Sequence, residues 1–179
     1  MMNSFTREMF SWFKSIVVAL VLLYICRSFL FVPTIVHGES MMPNLQDGNR
    51  LIVSKVGSIH RFDEITFKAP DENANYVKRV IGLPGDTISM KNDVLYVNGR
   101  SYKESYLNPN RKTGVNLTED FTLKDLTGKS KVPPNSLFVL GDNRTNSKDS
   151  RYFGFISKNA VIGKVEVRFW PFNEMEVMK

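Results

Sequence analysis

Ser40 stands in Gly38-Glu39-Ser40-Met41-Met42-Pro43, and 38 residues later Lys78 stands in Tyr76-Val77-Lys78-Arg79. A hydroxyl and an amine make a nucleophile and a base, provided the amine is neutral. The usual partner of a nucleophilic serine is histidine, but the chain has only two, His37 and His60, and His37 lies too near Ser40 in sequence for a comfortable triad. A serine and lysine pair is therefore the first chemistry to weigh. Gly38 permits unusual backbone angles and Pro43 fixes the exit direction, so this loop can hold a hydroxyl in a defined, exposed position. The same hexapeptide also reads as an ordinary surface turn, and the Met pair as core filler or as an apolar lip.

If Tyr76 to Ile81 is a strand, Tyr76, Lys78 and Val80 share one face, and Val77, Arg79 and Ile81 share the other. A lysine among valines on a buried strand loses hydration, and desolvation lowers its pKa toward the range where it accepts a proton near neutral pH. The commoner fate of a lysine is a stem packed on the sheet with its ammonium in water. A third constellation, Gly141 to Arg151, is dense in short polar side chains suited to orienting other groups. There Asp149 and Arg151 are placed to form an ion pair and Ser147 to orient an amine, although such a run read alone is a polar turn.

Several short runs rich in β-branched and aromatic residues must carry these loops: Arg50 to Val53, Glu64 to Phe67, Tyr76 to Ile81, Val94 to Val97, Leu137 to Leu140 and Val165 to Trp170. Asp47-Gly48, Pro84-Gly85-Asp86, Asn98-Gly99 and Pro133-Pro134 mark corners between them. The pattern predicts a mainly β domain, built as a barrel or as packed antiparallel sheets. Between about Met90 and Lys131 the composition turns polar, which predicts a smaller peripheral insertion.

Before the β region, Ile16 to Cys26 is an unbroken apolar run of 11 residues, short by itself for a span of roughly 20. Phe10, Trp12 and Phe13 extend it backwards and Phe29 to Val32 forwards, while Lys14 and Arg27 are long enough to snorkel to the two interfaces. The expectation is a transmembrane helix over 11–32 stopped by Pro33, after a cytoplasmic segment 1–10 and before an extracytoplasmic domain 33–179. The rival reading is a cleaved signal peptide, but no small-x-small cleavage site follows the run cleanly.

The chain of 179 residues is 42% hydrophobic, enough for one domain with a real core plus an anchor. Its single cysteine, Cys26, allows no intrachain disulfide. A net charge of +6 invites an anionic partner. The basic residues are scattered and no nucleic-acid motif accompanies them, so a lipid bilayer with anionic headgroups is expected and nucleic acid is not. No HExxH helix or Cys/His cluster argues for a metal, and no cofactor is expected.

Taken together and in this order, the boxes around Ser40, Lys78 and Gly141 to Arg151 resemble those of the type I signal peptidases, in the short bacterial form with a single membrane anchor. The resemblance runs from the apolar segment to Trp170. It implies Ser40 as nucleophile, Lys78 as general base and Ser147 as the hydroxyl that positions the lysine. It further implies Asp149 and Arg151 as a structural ion pair, with Asp142 and Arg79 in support. The substrate implied is a secretory preprotein cut after an Ala-x-Ala type site. Such a site needs two shallow apolar pockets, for which Val36, Met41, Leu45, Tyr76 and Val77 are the nearby residues. The chain departs from the family pattern at Gly38, where some members carry a serine, at Asn44, often threonine, and at Asn49, often aspartate. At Gly38 the departure leaves the second oxyanion donor to backbone or water, while neither Asn44 nor Asn49 removes a catalytic group. Two other readings fit parts of the pattern: a tethered β domain that binds envelope or secretory partners without catalysis, and a self-cleaving regulator, for which no DNA-reading module is present.

Overall fold

The computed structural model describes residues 4–107 and 116–178, so 1–3 of the expected cytoplasmic segment and 108–115 of the expected insertion lie outside the described residues. Helix α1 (Ser4–Ile25) continues into a single wide helical turn, Cys26–Leu30. From Met9 to Ile25 its large apolar side chains are exposed, and the stretch Glu8–Leu30 is long and apolar enough to cross a membrane. Among the described residues nothing packs on this stretch, which has the length and composition expected of a membrane span.

The helix ends earlier than expected, and Pro33 does not stop it. Strand β1 (Phe31–Ile35) begins directly after Leu30 and pairs antiparallel with β2 (Arg50–Ser54), with Pro33 opposite Ile52. β1 is an edge strand, where a missing N–H is tolerated. Phe31 and Val32 gain ladder partners in the sheet that a helix extension would forgo. The joint is tight, because the Lys55 N–H donates to the Leu30 carbonyl at 2.8 Å and Lys55 Nζ donates to the Ser28 carbonyl at 2.7 Å.

The main sheet comprises β1, β2, β3 (Glu64–Lys68), β4 (Asn75–Gly82), β9 (Ser136–Leu140), β10 (Ile156–Ser157), β11 (Val161–Trp170) and the short β12 (Glu176–Val177). It runs β1-β2-β11-β3-β4-β9-β10, with β12 on β11 and every pairing antiparallel. Three register shifts along β11 bend the sheet into a curled half-barrel. Between β4 and β9 the chain builds a second sheet from β5 (Ile88–Lys91), β6 (Val94–Val97), β7 (Arg100–Tyr102) and β8 (Phe121–Thr122), followed by α2 (Leu123–Thr127). Asn98 and Gly99 turn β6 into β7, both with positive φ, which suits a two-residue hairpin. Mainly β, antiparallel and preceded by one apolar helix, this is the expected class.

Three apolar clusters hold the fold. Ile81, Phe138 and Leu140 of the main sheet pack on Ile88, Met90, Leu95 and Phe121 of the second. Ile65, Phe67, Val80, Leu137, Val139 and Ile156 fill a second cluster, and Val36, Met41, Leu45, Leu51, Val53, Val77 and Val165 a third. The third lies directly beneath the Ser40 loop.

At Gly163, the β11 bulge, an added Cβ would meet the Ser54 carbonyl oxygen at 2.1 Å and Val53 Cγ1 at 2.8 Å. Backbone cannot swing away as a flexible side chain can. Gly163→Ala is expected to destabilise the chain by ~1–3 kcal/mol, roughly 2–10 °C in Tm, read by thermal unfolding of the detergent-solubilised protein.

Candidate active site

Ser40 is carried by the turn between β1 and β2, and the residues around it explain why the turn holds its shape. Gly38, at φ +81°, donates its N–H to Asp47 Oδ1 at 2.8 Å. The Met42 N–H donates to the Glu39 carbonyl at 3.1 Å, and the Leu45 N–H to the Met41 carbonyl at 3.0 Å. Met41 and Leu45, 1% and 0% exposed, are driven into the third cluster and leave Ser40 half-buried between them and the surface. From the far side, Asn143 fastens the loop: its N–H donates to the Ser40 carbonyl at 3.0 Å and its Nδ2 to the Glu39 carbonyl at 3.1 Å. The Ser40 N–H has no acceptor among the described residues.

Lys78 lies mid-strand in β4, opposite Ile65 of β3, and is 3% exposed. Its Nζ donates to Ser40 Oγ at 2.6 Å and sits 5.0 Å from the centroid of the Tyr76 ring. Among the described residues no carboxylate lies within ion-pair distance of it. Burial pulls its pKa down to about 8, against the pull of the more distant Asp149, Asp142 and Asp71. An amine so placed is largely protonated at pH 7 but loses its proton within reach of physiological pH.

Arg79, one residue on, faces the opposite side and meets the opposite surroundings. It donates to both oxygens of Asp142, at 2.8 and 2.6 Å, to Glu64 Oε1 at 2.5 Å and to the Phe62 carbonyl at 2.8 Å. Burial opposes its charge, but the Asp142 and Glu64 carboxylates outweigh it and raise its pKa above the usual value. Glu64 is the strained partner: burial lifts its pKa to about 7 despite Arg79, and its Oε2 is buried without a hydrogen bond. Asn44 Nδ2 joins the same network, donating to Asp142 Oδ2 at 2.6 Å and to the Tyr106 carbonyl at 2.7 Å. Tyr106 in turn stacks on the Arg79 guanidinium at 4.2 Å and donates to Glu104, which pairs with the buried Arg144.

The run Gly141 to Arg151 closes the site. Asp149, fully buried, accepts from Arg151 Nε and Nη2, both at 2.9 Å, and from the Gly141 N–H at 3.0 Å. It also caps α3 (Ser150–Phe153) by accepting from the Arg151 N–H at 3.1 Å. Gly141 allows a close approach: a Cβ there would lie 2.1 Å from Ser147 Oγ and 2.5 Å from the Ser40 carbonyl oxygen. Ser147 is thus brought against the Ser40 loop, but it makes no hydrogen bond to Lys78. Its buried hydroxyl has no partner among the described residues, a state that costs about 1–3 kcal/mol.

A cleft of about 240 Å³ opens over Ser40 and Lys78. Val36, Met41, Tyr76 and Val77 line it with Ile35, while His37, Glu39, Asn75, Asn146 and Lys148 make a polar rim. Leu45 does not line it. Its side chain is turned wholly into the core, because it is the residue that pins the C-terminal end of the Ser40 turn. Sequence reasoning missed Glu64, Glu104, Tyr106 and Arg144, and took Asn44 only as a departure. An acidic residue inside the otherwise apolar β3 run was the available signal for Glu64.

The family model described as "Signal peptidase, peptidase S26" matches residues 9–170. A protein of Bacillus caldolyticus named signal peptidase I is 51% identical, over 91% of this chain and 90% of its own. One from Bacillus licheniformis, also named signal peptidase I, is 47% identical over 94% and 92%. Signal peptidase IB of Staphylococcus aureus is 46% identical over 95% and 94%. A crystal structure of a signal peptidase I from Enterococcus faecalis superposes with a TM-score of 0.58 at 44% identity, covering 61% of this chain and 97% of that one.

The depressed pKa of Lys78 has a sign that stability reports. Between about pH 8 and 10.5 the unfolded lysine binds a proton that the folded one has released, so stability rises with pH across that window. Below pH 8 both states are protonated and the folded one carries the full desolvation penalty. Lys78→Met is expected to remove this slope and to stabilise the protein at neutral pH by on the order of 3 kcal/mol, measured by denaturant unfolding from pH 6 to about 10.

Proposed function

This chain belongs to the signal peptidase family, peptidase S26, as a bacterial type I signal peptidase, and from that premise we propose a membrane-anchored endopeptidase that works through a Ser40 and Lys78 dyad. The observation that carries the reading is the 2.6 Å bond from Lys78 Nζ to Ser40 Oγ, made by a buried amine with no carboxylate partner among the described residues. In its neutral form Lys78 takes the proton as Ser40 Oγ attacks the carbonyl carbon of the scissile peptide. The free Ser40 N–H is the first donor to the oxyanion that develops. The lysine ammonium then gives its proton to the departing amine, leaving an acyl ester on Ser40. Water, deprotonated by Lys78, hydrolyses that ester and restores the enzyme.

In this reading Ser147, pressed against the Ser40 loop with its hydroxyl unspent, positions the amine once the cleft is filled. Asp149 with Arg151, and Asp142 with Arg79, keep the two loops and β4 in register. Val36, Met41, Tyr76 and Val77 form the shallow apolar pockets for small residues at the first and third positions before the bond. Leu45 supports them from below.

We place α1 across the cell membrane with the N-terminus cytoplasmic and the domain from about residue 33 outside, its second sheet forming the peripheral insertion. A preprotein's own apolar segment lies in the same bilayer, so anchoring raises the effective concentration of substrate without any new contact. The basic surface favours anionic headgroups.

Purified enzyme in detergent or liposomes is expected to cut a preprotein after a small-x-small site, identified by the new N-terminus. Ser40→Ala and Lys78→Ala are each expected to lower kcat/KM by at least about 10³-fold, and equal cutting by all three would remove the dyad assignment. The acid limb of kcat/KM is expected to rise through about pH 8, the range into which burial brings Lys78. A limb centred near the ordinary lysine value would count against a depressed base.

A further inference from the structure

The cleft has three walls: the chain Ile35 to Met41, the start of β4 from Asn75 to Lys78, and the loop bearing Asn146 and Lys148. An ion pair joins the second wall to the third. Lys148 Nζ reaches Asp71 Oδ2 at 2.5 Å, and Asp71 sits in the tight turn between β3 and β4, closed by the Ala69 N–H to the Ala74 carbonyl at 2.9 Å. The same turn governs Tyr76, the aromatic member of the cleft. Carboxylates of Glu72 and Asp71 at its hydroxyl keep the phenol protonated well above its usual range. The ring is fixed from behind by edge contact with Phe67 at 6.1 Å and by Phe153 at 6.3 Å. Tyr76 therefore has little freedom to retreat, and the loop opposite it is tied by Lys148.

Resting on the dyad reading above, we propose that the Asp71 and Lys148 ion pair is a clasp that fixes the width of the cleft beside Ser40 and so limits the size of the side chain accepted immediately before the scissile bond. A small residue enters with the pair closed. A branched residue must push the Lys148 loop away from β4 and separate two opposite charges, so the clasp discriminates by what the larger substrate has to break. Asp71 and Lys148 touch neither Ser40 nor Lys78, and they act as positioning residues.

The experiment compares wild type, Asp71→Asn, Lys148→Met and the charge-swapped Asp71→Lys/Lys148→Asp, using preprotein-derived peptides that carry Ala or Val before the bond. The readout is the ratio of kcat/KM for Ala over Val. Each single variant is expected to lower that ratio about two- to five-fold, the scale of a partly exposed ion pair, through a better KM for the Val substrate. The swap is expected to return it to within about twofold of wild type. A second readout separates the clasp from a general loosening. The charges facing Lys78 are Asp149 and Asp142 from the closing loop and Asp71 from the turn, with Tyr76 beside it on β4. Asp71→Asn removes one of the charges that favour the ammonium and moves the acid limb to lower pH, whereas Lys148→Met leaves Asp71 unneutralised and moves it upward or not at all. Unchanged ratios in the single variants, a swap that fails to restore, or limbs that move together would overturn the clasp. A Ser40→Ala enzyme that still cuts would overturn the dyad reading itself, whereas an inactive Ser40→Ala together with unchanged ratios in the Asp71 and Lys148 variants overturns the clasp alone.

Discussion

Lys78 donates to the Ser40 hydroxyl from a buried position with no carboxylate at contact distance among the described residues. An ammonium held this way is poorly compensated, which is why its pKa falls to about 8. The next residue, Arg79, is also buried but holds both oxygens of Asp142 and one of Glu64. Strand alternation is what keeps the two cations apart, since it sends consecutive side chains to opposite faces of β4. Had both shared one set of carboxylates, the lysine would have been held as an ammonium at every physiological pH. The Arg79 network thus serves the site indirectly: it engages Asp142 and Glu64 and ties β3, β4 and the Asp142 loop into one unit.

That arrangement needs loops far apart in sequence to meet within a few tenths of an ångström. Asn143 bonds to Glu39 and Ser40 across about a hundred residues. Gly141 lets Ser147 and the Ser40 carbonyl approach the same point, and Asp149 holds the Gly141 N–H while capping α3. Beneath them Met41 and Leu45 anchor the serine turn in the apolar cluster shared with Val77. The apolar helix joins β1 without a linker, so the site stands on the first strand beyond the proposed membrane span.

Much of this was legible in the sequence because it is local. The β-branched runs became strands where they were placed, Asn98-Gly99 became a hairpin turn, and Ser40 and Lys78 were visible as reactive types in distinctive settings. What was not legible depends on neighbours distant in the chain. Pro33 reads as a helix stop, yet pairing with β2 draws Phe31 to Ile35 into an edge strand that tolerates it. Leu45 reads as a pocket residue by proximity, and only the direction of its side chain shows it to be an anchor. Glu64, Glu104, Tyr106 and Arg144 belong to a charge network with no periodicity, assembled from β3, the segment after β7 and the closing loop. The Ser147 hydroxyl was expected on Lys78 and instead stands unpartnered beside Gly141, a detail that side-chain packing sets and spacing does not.

The proposed chemistry turns on Lys78 shedding its proton near pH 8 while bonded to Ser40. The most direct measurement is a heteronuclear NMR titration of side-chain-labelled lysine in the micelle-bound protein, with the Lys78 signal assigned by its absence in Lys78→Arg. The Lys78 signal is expected to titrate with a midpoint near 8. A Lys78 midpoint near the ordinary lysine value of about 10.4 would count against a depressed base.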